Sequence, residues 1–241
     1  MFSPLELIIA LLITAVAAAL QGTVGLGFAL VSVPILTLVN SGFTPIPQVV
    51  LAFPLTIFMV LRERQHIDLR GAAWVLSGRL PGAIAGGVLL GLLAQRFLDG
   101  MIAGIVLAAA IGMAAGWSVR QTRRNQFIAG VVSGISGTTS AIDGPPLAFL
   151  YKDSSGERLR SSLAAVFSVG NIINITALAL AGRIHRDDVI TAALLLPALA
   201  IGLYSSRWLT GRIADVTIRR GILIVSALAG AALAIRTIAG V

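Results

Sequence analysis

Between Val189 and Tyr204 the chain carries no charged residue, and between Leu98 and Trp117 it carries one, Asp99. Runs of this length match the ~30 Å of hydrocarbon in a bilayer. In hydrocarbon every backbone N–H and C=O must be paired within the protein, and apolar runs of this length achieve that as helices. Charged residues make up 12% and hydrophobic residues 57%, where a water-soluble domain carries about a quarter charged. The expected class is an all-α polytopic membrane protein.

The polar interruptions then become informative. Gly134-Ile-Ser-Gly-Thr-Thr-Ser-Ala-Ile-Asp-Gly-Pro-Pro146 places hydroxyls, one aspartate and two prolines inside an apolar run. A related stretch, Gly22-Thr-Val-Gly-Leu-Gly-Phe-Ala-Leu-Val-Ser-Val-Pro34, lies 112 positions earlier, with Gly22, Gly25 and Pro34 falling on Gly134, Gly137 and Pro146. In that register Asp143 faces Val31. Further landmarks match at a spacing of 116: Pro81 with Pro197, Gly86 with Gly202, Arg96 with Arg212, Asp99 with Asp215. The change from 112 to 116 reads as a four-residue net insertion, most simply in the Lys152–Arg160 loop. Two membrane repeats are expected, residues 1–124 and 125–241, forming one integral domain.

Arginine and lysine positions choose between two topologies. If each broken run crosses the membrane once, nine cations fall on one side and eight on the other. If each enters and returns as a helical hairpin, the loops of Arg62–Arg70, Arg120–Arg124, Lys152–Arg160 and Arg207–Arg220 share one face with thirteen cations. Only Arg96, Arg183, Arg186 and Arg236 then lie opposite. The second drawing satisfies the positive-inside rule. It predicts two inverted repeats, each a broken, re-entrant helical hairpin plus three transmembrane helices, with both termini outside. The first helix is expected to be retained, because Met-Phe-Ser-Pro-Leu-Glu lacks the basic start of a signal peptide.

Inverted repeats with paired broken helices are the architecture in which secondary transporters build a midplane substrate site. Half-helix N-termini favour an anion. Candidate ligands are Gly25, Gly27 and Gly137 at the breaks, and the hydroxyls of Thr23, Thr138, Thr139 and Ser140, which either donate to an oxyanion or bond back to their own helix. Arg79, on the order of 13 Å beyond Arg70, either pairs with an oxyanion or snorkels to the surface. Asn171 and Asn174 share a helix face and either line the cavity or hold helices together; Gln21 and Gln48 are weaker versions of the same. Asp143, with no cation near it in sequence, is either a proton carrier or an N-cap.

The paired segments Gly-Thr-Val-Gly-Leu-Gly…Pro34 and Ser-Gly-Ile-Ser-Gly…Asp-Gly-Pro-Pro146 resemble those of the TauE/SafE sulfite exporters, also called 4-toluene sulfonate uptake permeases. The likeness extends over roughly Leu5 to Ile235. It implies a bacterial inner-membrane carrier of sulfite, thiosulfate or an organosulfonate, working without ATP. Where that family often has three consecutive glycines, this chain has Gly25-Leu-Gly27-Phe.

Other classes are excluded by residue type. The net charge of +8 is scattered between apolar runs rather than gathered in a stripe, which argues against nucleic acid. Zero cysteines remove disulfides and thiolate chemistry. His66 and His185 lie in loops on opposite sides of the expected topology and cannot share a metal. No Walker loop or His-Glu-x-x-His occurs, and no histidine sits in a span to activate a serine, so an enzyme is not expected. No cofactor is expected; the expected partners are a small sulfur-containing anion, protons and the bilayer. An anion channel using the paired breaks as a filter is the alternative to a carrier.

Overall fold

The computed structural model describes residues 2–154, 156–209 and 215–239. Among these residues ten α-helices follow one another: α1 (Pro4–Val24), α2 (Phe28–Val39), α3 (Ile46–Glu63), α4 (Leu69–Leu92), α5 (Gln95–Ala114), α6 (Arg123–Ser140), α7 (Gly144–Tyr151), α8 (Gly156–Leu180), α9 (Arg186–Leu209) and α10 (Asp215–Ala239), with short 3-10 turns on either side of α3. No strand occurs among the described residues. Among the described residues, seven helical segments are long and apolar enough to cross a membrane; α2, α6 and α7 are not among them. The class expected from the apolar runs is the one observed.

Both broken runs fold as hairpins. Ser3 and Glu6 cap each other's backbone at the start of α1, and the other Glu6 oxygen accepts from Asn40 Nδ2 at 3.0 Å, just beyond the end of α2. Phe2 stacks on Phe43 at the same end, ring centroids 3.9 Å apart. At the base of the second hairpin the Val119 N–H donates to the Phe149 carbonyl at 3.0 Å, and Gln121 Nε2 donates to the Leu150 carbonyl at 3.1 Å. In each case the segment that starts the hairpin touches the segment that ends it, so neither run continues straight across.

The two breaks correct the sequence register. Gly22 and Gly134 stay helical; the chain turns at Gly25–Gly27 and at Ala141–Asp143. Ser140 ends α6 116 positions after Val24 ends α1, and Gly144 starts α7 116 positions after Phe28 starts α2. The spacing is therefore 116 already at the breaks, without the inferred insertion, and Asp143 stands opposite Gly27 rather than Val31. Left-handed backbone ends both first arms: Gly25 at φ 85° and Ala141 at φ 59°. Alanine there accepts a conformation costing roughly 1–2 kcal/mol, and an identity search for glycine overlooks it. The landmarks Arg96 and Asp99 lie in the first turns of α5. Arg212 lies outside the described residues.

Glycines pull the helices together. A Cβ on Gly78 would lie 2.1 Å from the Phe127 carbonyl oxygen, on Gly130 2.0 Å from that of Val75, and on Gly82 2.3 Å from that of Val131. Helices α4 and α6 thus meet backbone to backbone, as small-residue packing allows in membranes. Helices α1 and α9 do the same, with Gly202 against the Ala15 carbonyl. The pairs α3–α8 and α5–α10 complete the packing. Outward faces carry exposed apolar residues such as Ile84, Val88, Ile201 and Leu228, the lipid-facing surface.

Candidate substrate cavity between two hairpin tips

The hairpin tips meet. Gln21, Leu26, Gly27 and Phe28 of the first and Gly137, Ala141, Ile142, Asp143 and Gly144 of the second enclose a cavity of about 40 Å³ with Val49, Leu55 and Thr56 of α3 and Phe167 and Asn171 of α8. A water needs roughly 10–15 Å³ on this measure, so the space suits about three waters or one small ion.

Gln21 builds the first tip. Its Nε2 donates to the Gly25 carbonyl at 3.2 Å and its Oε1 accepts from the Phe28 N–H at 3.0 Å. One buried amide thus bridges the break and caps α2. The next two N–H groups of α2, on Ala29 and Leu30, have no intrahelical acceptor by helix geometry, and both residues line the cavity. The second tip is poorer in donors. Pro145 and Pro146 have no N–H, which leaves that of Gly144 at the start of α7. The first hairpin thus supplies most of the positive end.

Arg79 is completely buried, 0% exposed, and does not reach the surface as a snorkelling side chain would. It forms a salt bridge through Nη2 with Asp143 Oδ2, and Nη1 donates to Ser133 Oγ at 3.1 Å. Ser133 Oγ in turn donates to the Asp143 carbonyl at 2.9 Å. The Asn174 carboxamide is oriented with its oxygen towards Arg79 Nη2 at 3.1 Å and its NH2 towards Thr138 Oγ1 and the Gly170 carbonyl, each 3.3 Å; the reverse orientation would point NH2 at a guanidinium. Arg79 Nε is buried and has no acceptor among the described residues. Gly170 makes the room: a Cβ there would fall 2.2 Å from Nε.

The premise that no cation adjoins Asp143 is therefore corrected. Arg79 lies 64 positions away in sequence but against it in space. Asp143 precedes α7 without a side-chain capping bond, because its carboxylate is turned to Arg79. One face of the carboxylate meets the guanidinium and the residue also lines the cavity.

Of the other expected ligands, Gly27, Gly137 and Asn171 line the cavity. Asn171 Nδ2 donates to Thr56 Oγ1 at 3.3 Å. Gly25 lies beside the Arg160 side chain on the far side of the tip. Thr23 bonds to the Ala19 carbonyl (2.8 Å), Thr139 to that of Ile135 (2.8 Å) and Ser140 to that of Ser136 (2.6 Å). These three hydroxyls follow the back-bonding alternative, and Thr138 faces Asn174. Sequence reasoning did not single out Thr56 or Ser133. Neither has a distinguishing local signal, since serine and threonine are routine in membrane helices.

A polar cluster sits beside the first tip. Glu63 accepts from Arg62 Nη2 at 2.7 Å and from Arg160 Nε at 2.8 Å. Arg62 also donates to the Gly22 carbonyl and, at 3.2 Å, to Ser206 Oγ. On α3 the cavity wall runs from Val49 to Thr56 and stops short of this cluster.

These features define a multi-pass membrane protein organised around a small cavity, lined by a few polar groups, where two broken hairpins meet. The chain belongs to the Sulfite exporter TauE/SafE family, a family of transporters, whose model matches residues 10–233. It is similar to the probable sulfite/organosulfonate exporter TauE of Cupriavidus necator, 26% identical over 171 residues that cover 66% of this chain and 67% of that protein. No solved structure matches.

Proposed function

We propose that this protein is a secondary transporter of a small sulfur-containing oxyanion in the bacterial inner membrane, coupled to protons and alternating in access around the cavity between the hairpins. The carrying observation is the cavity itself, walled by both hairpin tips and by the carboxylate of the buried Arg79–Asp143 pair. The related exporter's name supports the substrate class. A space of about 40 Å³ favours an anion the size of sulfite over an aryl sulfonate. Residues 1–124 and 125–241 act as inverted repeats, an assignment supported by the two hairpins and the spacing of 116 between their breaks.

In this mechanism Asp143 and the anion compete for Arg79. With Asp143 ionised, the guanidinium is neutralised and the carboxylate repels the substrate. Protonation of Asp143 releases Arg79 to a bidentate contact with the oxyanion, next to the N–H groups of Ala29, Leu30 and Gly144 and the amide of Asn171. The Arg62–Glu63–Arg160 cluster closes one route to the site; access from that side requires its rupture.

Two experiments test this reading. In a thermal-shift screen of the purified protein, sulfite or thiosulfate raises Tm while chloride and organic cations do not; stabilisation only by a different solute class sinks the substrate assignment. In proteoliposomes, uptake saturates and accelerates when the same anion is trapped inside. Ohmic current without counter-exchange establishes the channel alternative instead.

The coupling role of Asp143 is tested with a simple alkyl sulfonate, which stays anionic throughout the assay. In proteoliposomes carrying a pH-sensitive dye, the wild type moves protons together with this anion, and Asp143→Asn carries the anion without moving protons. Proton movement undiminished in Asp143→Asn removes this residue from coupling.

A further inference from the structure

A second cavity, separate from the substrate site, opens between α5 and the second hairpin. Ile105, Ala108 and Ala109 of α5 form one wall, and Ile128, Val132, Pro146 and Phe149 of α6 and α7 form the other, around about 360 Å³. Ile128 and Val132 are both 46% exposed and face the surroundings, not the core. In the other half of the molecule the corresponding place is filled: α2, the return arm of the first hairpin, packs along α10, whereas α7 makes no comparable contact with α5. Helix α7 is the shorter return arm, eight residues against twelve, and the groove is the space it leaves.

We propose that this groove is a binding site for one anionic phospholipid, with an acyl chain along α6 and the phosphate at Arg120 and Arg124. Three observations set the occupant. The lining is almost wholly apolar, and an apolar groove facing hydrocarbon takes up a chain rather than water. Along α6 it extends from Asn125 to Ser136, about 16 Å, the depth of one leaflet in a core of ~30 Å. Its mouth lies beside cations and an aromatic belt residue: Val119 and Trp117 line the rim, Arg120 follows Val119, and Arg124 sits one turn before Ile128 on the same helix face. All of these rim residues are exposed except Asn125, and among the described residues no carboxylate forms a salt bridge with Arg120 or Arg124. Arg123, by contrast, is engaged over the Trp74 ring at 5.7 Å. A headgroup phosphate completes the unpaired charge there, as juxtamembrane basic residues do with anionic lipids. Because Pro146 and Phe149 belong to the hairpin that carries Asp143, the bound lipid wedges against the back of that hairpin.

The test uses the full chain purified in detergent, with phosphatidylglycerol and phosphatidylcholine of identical chains as probes, read by native mass spectrometry and thermal shift. One phosphatidylglycerol is retained per chain at least tenfold better than phosphatidylcholine, and it raises Tm by several degrees. Arg120→Gln/Arg124→Gln removes the preference for the anionic headgroup. Ala108→Trp, which fills the groove from an exposed position, removes retention of both lipids while helix content by circular dichroism is unchanged; if that variant misfolds, the arginine pair still decides. Equal retention of the two lipids, phosphatidylglycerol retention undiminished in the arginine variant, or a crosslinked second copy seated on the groove overturns the proposal.

Discussion

Arg79→Ala is expected to abolish anion binding, reducing affinity by at least a hundredfold, and to destabilise the fold by about 3 kcal/mol. The stability loss follows from leaving one member of a buried ion pair without its partner, which costs roughly 3–5 kcal/mol; the lower figure applies because Asp143 borders the cavity and can be hydrated there. The double variant Arg79→Ala/Asp143→Ala separates the two effects. It recovers part of the stability, since no unpaired charge is left, yet it still fails to bind the anion. Chemical denaturation and isothermal titration with sulfite measure both quantities on the same samples. Anion binding by the double variant at wild-type affinity would remove Arg79 from the site and leave it a structural role.

Gly78→Ala is the second large effect. Its new methyl would lie 2.1 Å from the Phe127 carbonyl oxygen, and neither partner is a side chain that can rotate away. Overpacking of this kind costs about 1–3 kcal/mol; contact with rigid backbone places this variant at the upper end. Gly104→Ala is the control, since nothing lies within 4 Å of a Cβ there. That substitution removes a helix-interior glycine and is expected to be neutral or stabilising by up to roughly 1 kcal/mol. Thermal unfolding of the two variants side by side checks the contrast, and equal Tm values would contradict backbone contact between α4 and α6. Because Arg79 follows Gly78 directly, loosened α4–α6 packing also shifts the guanidinium from Asp143 and weakens anion binding.

Both variants show how the glycines divided the labour that sequence reading had merged. Gly22 and Gly134 look like breaks, because glycine weakens a helix, but both are packing residues inside helices. The turn of the second hairpin falls on Ala141, which carries no such signal. Matching glycine to glycine therefore produced a register of 112, four residues away from the spacing of the actual breaks, and set Asp143 opposite Val31. With the breaks aligned, Asp143 stands opposite Gly27, and its partner Arg79 is matched by Leu195 at the same spacing. The charge pair, which takes one member from each half, thus has no symmetric counterpart: the matching positions hold Gly27 and Leu195.

The hydroxyls show the same limit. Thr23, Thr139 and Ser140 have the composition of an oxyanion site, yet each is occupied by a carbonyl of its own helix. Composition reports that a polar atom is present in the membrane. It does not report where that atom points, because a rotation about one side-chain bond decides between a carbonyl and a cavity.

The sequence by itself determined the membrane class, the helical architecture and the two broken runs, because hydrophobic length and unsatisfied backbone groups are properties of local sequence. Only the tertiary structure decided that Arg79 meets Asp143 across 64 positions, that Gln21 bridges its own break, and that Pro145 and Pro146 leave the second tip with few donors beside the first. Each of these depends on which side chain occupies the space left when two hairpins are brought tip to tip, and that space is set by backbone contacts between helices far apart in the chain.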